Sequence, residues 1–209
     1  MPNWCSNELT IKGEKAELQK LIDFVGAPYE RQYAMPPKYE ETETTKFSNP
    51  VFAFWNVVRP DEELMESYIK SEAWYQWNIN HWGTKWDVAN VDGENSFETY
   101  AFLDLLDKGE IGYSMWTAWS PCIPIIEILA EKFPTLEFKI MYVEPGMQFW
   151  GINEYANGEL TEERYEEELS HKAYVEMGDV GSCNCAEGND EEYFYSDCPR
   201  VVSEEKVNS

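Results

Sequence analysis

IGYSMWTAWSPCIPIIEILAEKFPTLEFKIMYVEPGMQFWGINEYANG, residues 111–158, decides the fold. Ile111 to Trp119 alternates well enough for a strand. Ser120-Pro121 then predicts a helix start, with Ser as the cap and Pro in the first turn. Ile125, Ile126, Ile128, Leu129 and Phe133 supply one buried side, and Pro134 stops the helix. Leu136 to Val143 reads as a second strand, with Leu136, Phe138, Ile140 and Tyr142 on one face. Pro145-Gly146 turns the chain, and Met147 to Tyr155 returns as an antiparallel partner. Asn157-Gly158 is another tight-turn signal. Leu160 opens either a further strand or an acidic helix, Glu162 to Leu169, capped by Thr161.

Upstream, Asn7 to Lys12 reads as a short strand. Glu14 to Val25 reads as a helix with Leu18, Leu21, Ile22 and Val25 in one stripe, closed by Gly26. Residues 27–50 read as loop, punctuated by Pro28, Pro36, Pro37 and Pro50. Val51 to Val58 is aromatic and β-branched and reads as a strand. Pro60 suits the first position of a helix, Asp61, Glu62 and Glu63 favour its positive end, and Leu64, Met65, Tyr68 and Ile69 form its apolar face. Trp74 to Trp86 reads as irregular, Trp86 to Val91 as a strand, and Asp92-Gly93 as a turn. Ser96 to Leu103 is a further strand, with a helical turn at Ala101 to Leu106 as the alternative.

The order is strand, helix, strand, insertion, strand, helix, strand, with one extra edge strand. A four-stranded antiparallel sheet with two helices on one face accounts for it. The expected class is α+β, on the ferredoxin-like split βαβ plan. Residues 1–158 would form that domain, with an insertion around 60–110. Residues 159–209 would form an acidic C-terminal extension packed on or appended to it.

Sixteen Lys and Arg face 40 Asp and Glu, for a net charge of −24, in a chain with 43% hydrophobic residues and 9 Trp. Residues 151–209 hold 16 acidic and 4 basic residues. Such a field repels nucleic-acid phosphates and anionic membranes, and draws basic proteins. Direct nucleic-acid binding is not expected. Neither is a membrane role, because no run approaches the ~18–20 apolar residues of a spanning helix. The opening MPNWCSNELTI lacks the basic and apolar segments of a signal peptide, so a cytoplasmic location is expected. Five Cys argue against a fully paired disulfide scaffold.

Trp82, Trp86, Trp116 and Trp119 crowd two short segments. They read as an aromatic groove or as rings covering the open face of the sheet. Lys85 is the sole cation between Lys70 and Lys108, too few for a nucleic-acid groove. Cys5, His81, Asp87 and Glu144 are the polar candidates. His81 with Asp87 would make a general base if brought within about 2.6–3.2 Å. Cys5 with His81 would share a metal or form a nucleophile–base pair. Lys85 and Asp87 would form an ion pair across Trp86. His171, Cys183, Cys185 and Cys198 have zinc-type ligands, but the Cys-x-Cys spacing is too short for the usual modules, and no cofactor is expected. Asp190, Glu191 and Glu192 with Tyr193, Phe194 and Tyr195 resemble an interaction surface for a basic partner, or a solvated acidic edge.

Four segments together resemble the YubB-type ferredoxin-like proteins of phages and plasmids. They are Met1-Pro2-Asn3-Trp4-Cys5-Ser6-Asn7, Trp82-Gly83-Thr84-Lys85-Trp86-Asp87, Thr117-Ala118-Trp119-Ser120-Pro121 and Tyr142-Val143-Glu144-Pro145-Gly146-Met147. The resemblance implies a ferredoxin-like fold and a mobile-element origin. It carries no activity and no catalytic residue. The expected function is a non-enzymatic acidic module that binds a basic host protein, as an anti-defence inhibitor or nucleic-acid mimic. One alternative is an enzyme or small-ligand protein using the Trp-rich face with His81 and Asp87. Another is a structural or assembly component, such as a homodimer joined through exposed sheet or strand edges.

Overall fold

A computed structural model describes residues 3–35, 38–89 and 99–176. In chain order the elements are β1 (Trp4–Lys12), α1 (Lys15–Val25), β2 (Tyr29–Met35), β3 (Lys38–Phe47), α2 (Phe54–Val57), α3 (Glu62–Lys70), α4 (Ala73–Trp82), β4 (Tyr100–Phe102), β5 (Glu110–Ala118), α5 (Ile123–Lys132), β6 (Glu137–Glu144), β7 (Phe149–Ala156), β8 (Glu159–Glu166) and α6 (His171–Glu176).

One antiparallel sheet runs β4-β5-β1-β6-β7-β8. The crossover β5-α5-β6 straddles β1, and β1-α1-…-β4 straddles β5. These two split βαβ units make the ferredoxin-like core, which β7 and β8 extend at one edge. Leu18, Leu21 and Val25 of α1 and Ile125, Ile126, Leu129 and Ala130 of α5 are buried. They share one core with Leu9, Ile11, Ile111, Tyr113, Met115, Phe138 and Ile140 of the sheet. Each large aliphatic side chain so buried contributes roughly 1.5–3 kcal/mol. The opposite face is divided. Leu169, Ala173 and Tyr174 cover Trp150 and Ile152, with Met141 and Val143 beside them. Among the described residues, no helix covers the half over β4, β5 and β1.

The expected plan holds, but its second strand is elsewhere. Tyr100–Phe102 takes that place beside β5, within the expected Ser96–Leu103 strand, of which residues 96–98 lie outside the described residues. Val51–Val58 is instead bends and the helical turn α2. The cause is remote: Asp87 accepts the Phe54 and Trp55 amides and caps the turn. Residues 27–50 are not loop but mainly the β2–β3 ribbon, a separate two-stranded sheet. Tyr29, Arg31 and Tyr33 fall on one side at period two, and Tyr29 stacks on Phe47 at 4.4 Å. Pro28 and Pro50 stand outside the two strands, and Pro36 and Pro37 lie outside the described residues.

Trp74–Trp86 is irregular only in its last four residues, which are bends: α4 runs through Trp82 and ends at Gly83, whose φ of 76° is the left-handed C-terminal stop. Trp86–Ala89 forms no strand; residues 90 and 91 of that expected strand, and Asp92-Gly93, lie outside the described residues. Helix α3 begins after Pro60, with Asp61 accepting the Leu64 amide at 3.0 Å. Gly26 closes α1 with φ −94°, so close approach explains it: an added methyl would stand 3.2 Å from the Pro50 oxygen. Ser120 does not cap α5. Cys122 holds that position and Pro124 stands in the first turn, because the Ser120 hydroxyl is spent on Gly83 O. Beyond Asn157 (φ 56°) and Gly158 (φ 80°) the chain continues as β8, not as the alternative helix.

Candidate functional site

The described residues of the four motifs converge at one end of the sheet. Asn7 is buried on β1; its Nδ2 donates to Thr117 Oγ1 at 2.8 Å and to Met115 O at 3.3 Å. Its Oδ1 accepts the Cys122 amide at 3.4 Å, tying β1 to the start of α5. Thr84 donates to Ala118 O at 2.9 Å, and Thr117 donates to Ser120 O at 2.7 Å. Glu144, 1% exposed, accepts the Gly146 and Met147 amides and closes the β6–β7 turn. An added methyl on Gly146 would stand 2.6 Å from Asn3 Nδ2, so this turn abuts the start of the chain's first strand. Nearly every polar group here serves the backbone.

This knot displays aromatic rings. Trp119 has φ 74°, an outlier for so bulky a residue, and its amide is held by Asn3 O at 2.9 Å. Trp116 and Trp119 are each 41% exposed. Trp116 pairs with Ser6 on the open face, and Trp4 pairs with Ala118, so the two indoles are diagonal neighbours there. Trp86 packs on Trp4 with ring centres 6.1 Å apart. Lys85 lies over Trp86 at 4.5 Å and near Tyr75 at 5.6 Å. Tyr100 and Phe102, opposite Ser114 and Gly112, continue the aromatic surface along β4 and are exposed. Glu8 is exposed on the same face and accepts the Ser114 hydroxyl at 2.6 Å. The sequence reading does not single out Trp4, Tyr100 or Phe102; period-two alternation in WCSNE and YAF is the signal that puts them on this face.

The other candidates are dispersed. Trp82 is fully buried in the core and donates to Val58 O at 3.0 Å. His81 stacks on Trp77 at 4.2 Å, and its Nδ1 meets Trp77 O at 2.8 Å. Asp87 accepts the amides of Phe54, Trp55 and Ala89 and the Tyr29 hydroxyl. No hydrogen bond joins His81 to Asp87, and the expected Lys85–Asp87 ion pair does not form. Burial pushes the Asp87 carboxyl above its ordinary range, against the pull of the amides and of the Arg31 guanidinium. Cys5 is buried on the core face near Cys122; burial raises both thiols, Cys122 to about 12. A thiol so raised is a poor nucleophile and a poor metal ligand.

Among the described residues, no three His, Cys, Asp or Glu are grouped to hold a metal. His171 begins α6; Cys183, Cys185 and Cys198 lie outside the described residues, as do Asp190, Glu191, Glu192, Tyr193 and Tyr195. No helix among the described residues is long and apolar enough to cross a membrane.

The class of domain is therefore ferredoxin-like. Residues 81–184 match the family model of the ferredoxin-like domain in Api92-like protein. The crystal structure of protein api92 from Yersinia pseudotuberculosis is similar, with a TM-score of 0.55 over 79% of this chain and 98% of that one. Identity to it is 9%, so the likeness speaks for the fold alone. No curated protein matches the chain. Both matches name the Api92-like group, not the YubB-type proteins that the motifs resemble.

Proposed function

We propose that the chain is a non-enzymatic acidic module that binds a basic protein through the aromatic surface around Trp116 and Trp119. The observation that carries this reading is Trp119 itself. A large ring held at φ 74° costs backbone strain, and 41% of the residue is nonetheless left facing solvent. Exposed Trp beside carboxylates suits Arg and Lys side chains, which stack on rings and pair with acids. Glu8, Asp104 and Glu110 line the adjoining surface with Phe102. A net charge of −24 would speed encounter with a basic partner and make binding weaken as salt rises. The YubB-type resemblance extends the reading to a mobile-element protein that blunts a host function from within the host cytoplasm. His81 and Asp87, each bonded elsewhere, give the enzyme alternative little support.

A second reading has one observation in its favour. Trp4 and Trp116 stand on central strands of an open sheet face, where stacked bases of single-stranded nucleic acid would fit. Glu8 on that face and the overall charge oppose it, since phosphates need a basic surround.

The test is capture from host lysate at low and moderate salt, comparing the wild-type chain with Trp116→Ala/Trp119→Ala. The proposal expects basic proteins, captured less at higher salt and lost with the double variant. Nuclease-sensitive capture would favour the second reading. Recovery only of the chain's own second copy would favour a homodimer, and capture indifferent to both salt and the variant would sink the proposal.

A further inference from the structure

Among the described residues, Arg31 is a buried cation without a carboxylate partner. It is 7% exposed on β2, and its Nη2 donates to Tyr68 Oη. Its guanidinium carbon lies 4.5 Å from the Tyr33 ring centre, 4.6 Å from Trp55, 5.1 Å from Tyr68 and 5.6 Å from Trp82. Its Nε is itself buried and has no hydrogen-bond partner among the described residues. Asp87 is close enough to feel the charge, but its oxygens are taken by three amides and the Tyr29 hydroxyl. Buried Arg is ordinarily paired, because an unpaired charge away from water is costly. Ring faces offset part of that cost, yet they accept no hydrogen bond in the guanidinium plane.

Arg31 lines a cavity of about 370 Å³ between the β2–β3 ribbon, α2 and α3. Arg59 stands on the same wall and is exposed. No ion pair engages Arg59 among the described residues, in a chain where Lys12, Lys15, Lys20, Lys70 and Lys139 each have an acidic partner. Glu30, at the cavity, is paired with Lys46 at 2.9 Å. Trp55, Met65 and Ile69 supply apolar wall. The volume falls at the lower end of small-molecule sites, about 300–1,000 Å³.

We infer that this cavity binds a small organic oxyanion, a phosphate or carboxylate carried on a flat apolar body, held by the exposed Arg59 guanidinium with the buried Arg31 charge in the wall behind it. The exposed Arg59 guanidinium offers charge-assisted, forked hydrogen bonds to such a group, and the buried Arg31 charge in the same wall adds to the attraction. Trp55, Met65 and Ile69 would hold the body. The inference is independent of the aromatic surface on the sheet.

Isothermal titration of the full chain tests it with phenyl phosphate, benzoate, inorganic phosphate, benzyl alcohol and benzylamine. Phenyl phosphate or benzoate should bind more tightly than inorganic phosphate, and the alcohol and amine should not bind. Arg59→Gln should weaken the anion about tenfold, the loss of one charge-assisted contact. Lys70→Gln, a cation on α3 outside the cavity lining, should change nothing, and neither should Trp116→Ala/Trp119→Ala. Binding of the amine or alcohol as tight as that of phenyl phosphate, an unchanged Arg59→Gln, or no heat with either organic anion overturns the inference.

Discussion

Asp87 accepts the backbone N–H of Phe54 at 2.8 Å across 33 residues of chain, and with it the amides of Trp55 and Ala89. A single carboxylate thus fastens α2 to the segment after α4. Asp87→Ala strands three amide donors and should cost about 3 kcal/mol, the penalty for buried groups left unpaired. Urea unfolding of the variant measures it, and a loss below about 0.5 kcal/mol, the range of ordinary surface changes, would contradict this role.

The same residue gives a pH signature. Burial raises the Asp87 pKa in the folded state above its ordinary 3.8, so the fold holds this proton more tightly than the unfolded chain. Its contribution is therefore fully present below 3.8 and declines as pH rises through the folded-state value. Asp87→Asn has no such slope. Wild-type stability minus that of Asp87→Asn, from urea midpoints across acidic pH, should fall as pH rises. A rise would mean that the amides and Arg31 outweigh burial.

Much of the fold was legible because it is local. Period two in Glu137–Glu144 and the apolar stripe of Lys15–Val25 each bury one face, and both elements stand where the pattern puts them. Phe54–Val57 was not legible, since its cap comes from Asp87, far along the chain. The β2–β3 ribbon was hidden for a different reason. Its surface is polar, and the residues that give it a core, Trp55 and Tyr68, belong to later helices. Trp116 and Trp119 were visible as candidates, but not their separation from Trp82, which α4 turns into the core. Arg31 and Arg59 carry no sequence signal: 28 positions separate them, and only the packing of the ribbon on α3 brings both to one cavity.

Cys5 and Cys122 should be protected thiols. Both are fully buried, and burial lifts both above the ordinary range, Cys122 to about 12. Reagents attack the thiolate, so labelling should await unfolding. Site-resolved mass spectrometry after alkylation should find both unmodified in native buffer and both modified in denaturant. Native labelling faster than unfolding would place them at the surface instead.

Gly151 marks the closest approach in the extended part of the sheet. An added methyl would lie 2.3 Å from Tyr142 Oη and 2.5 Å from Arg164 O. The tyrosine could move, but the strand backbone could not. Gly151→Ala should cost about 2–3 kcal/mol, the upper range for overpacking. Adding Tyr142→Phe should not restore the thermal midpoint, because the Arg164 carbonyl remains. Full rescue by that second change would show that the ring alone sets the limit.

Trp119 separates stability from binding. Glycine at a left-handed position avoids the Cβ strain that Trp119 bears at φ 74°. Trp119→Gly therefore gains about 1 kcal/mol of relieved strain and loses the contacts of a residue that is already 41% exposed. Its stability should stay within about 1 kcal/mol of wild type, since the two effects oppose. Capture of the basic partner should fall at least tenfold if the indole anchors it, as interface tryptophans do. Thermal unfolding and quantified capture on the same preparation decide the matter. A variant that binds normally would show that the ring is held at this angle for the turn into α5 and not for a partner. One that loses several kcal/mol would show that the indole is part of the core.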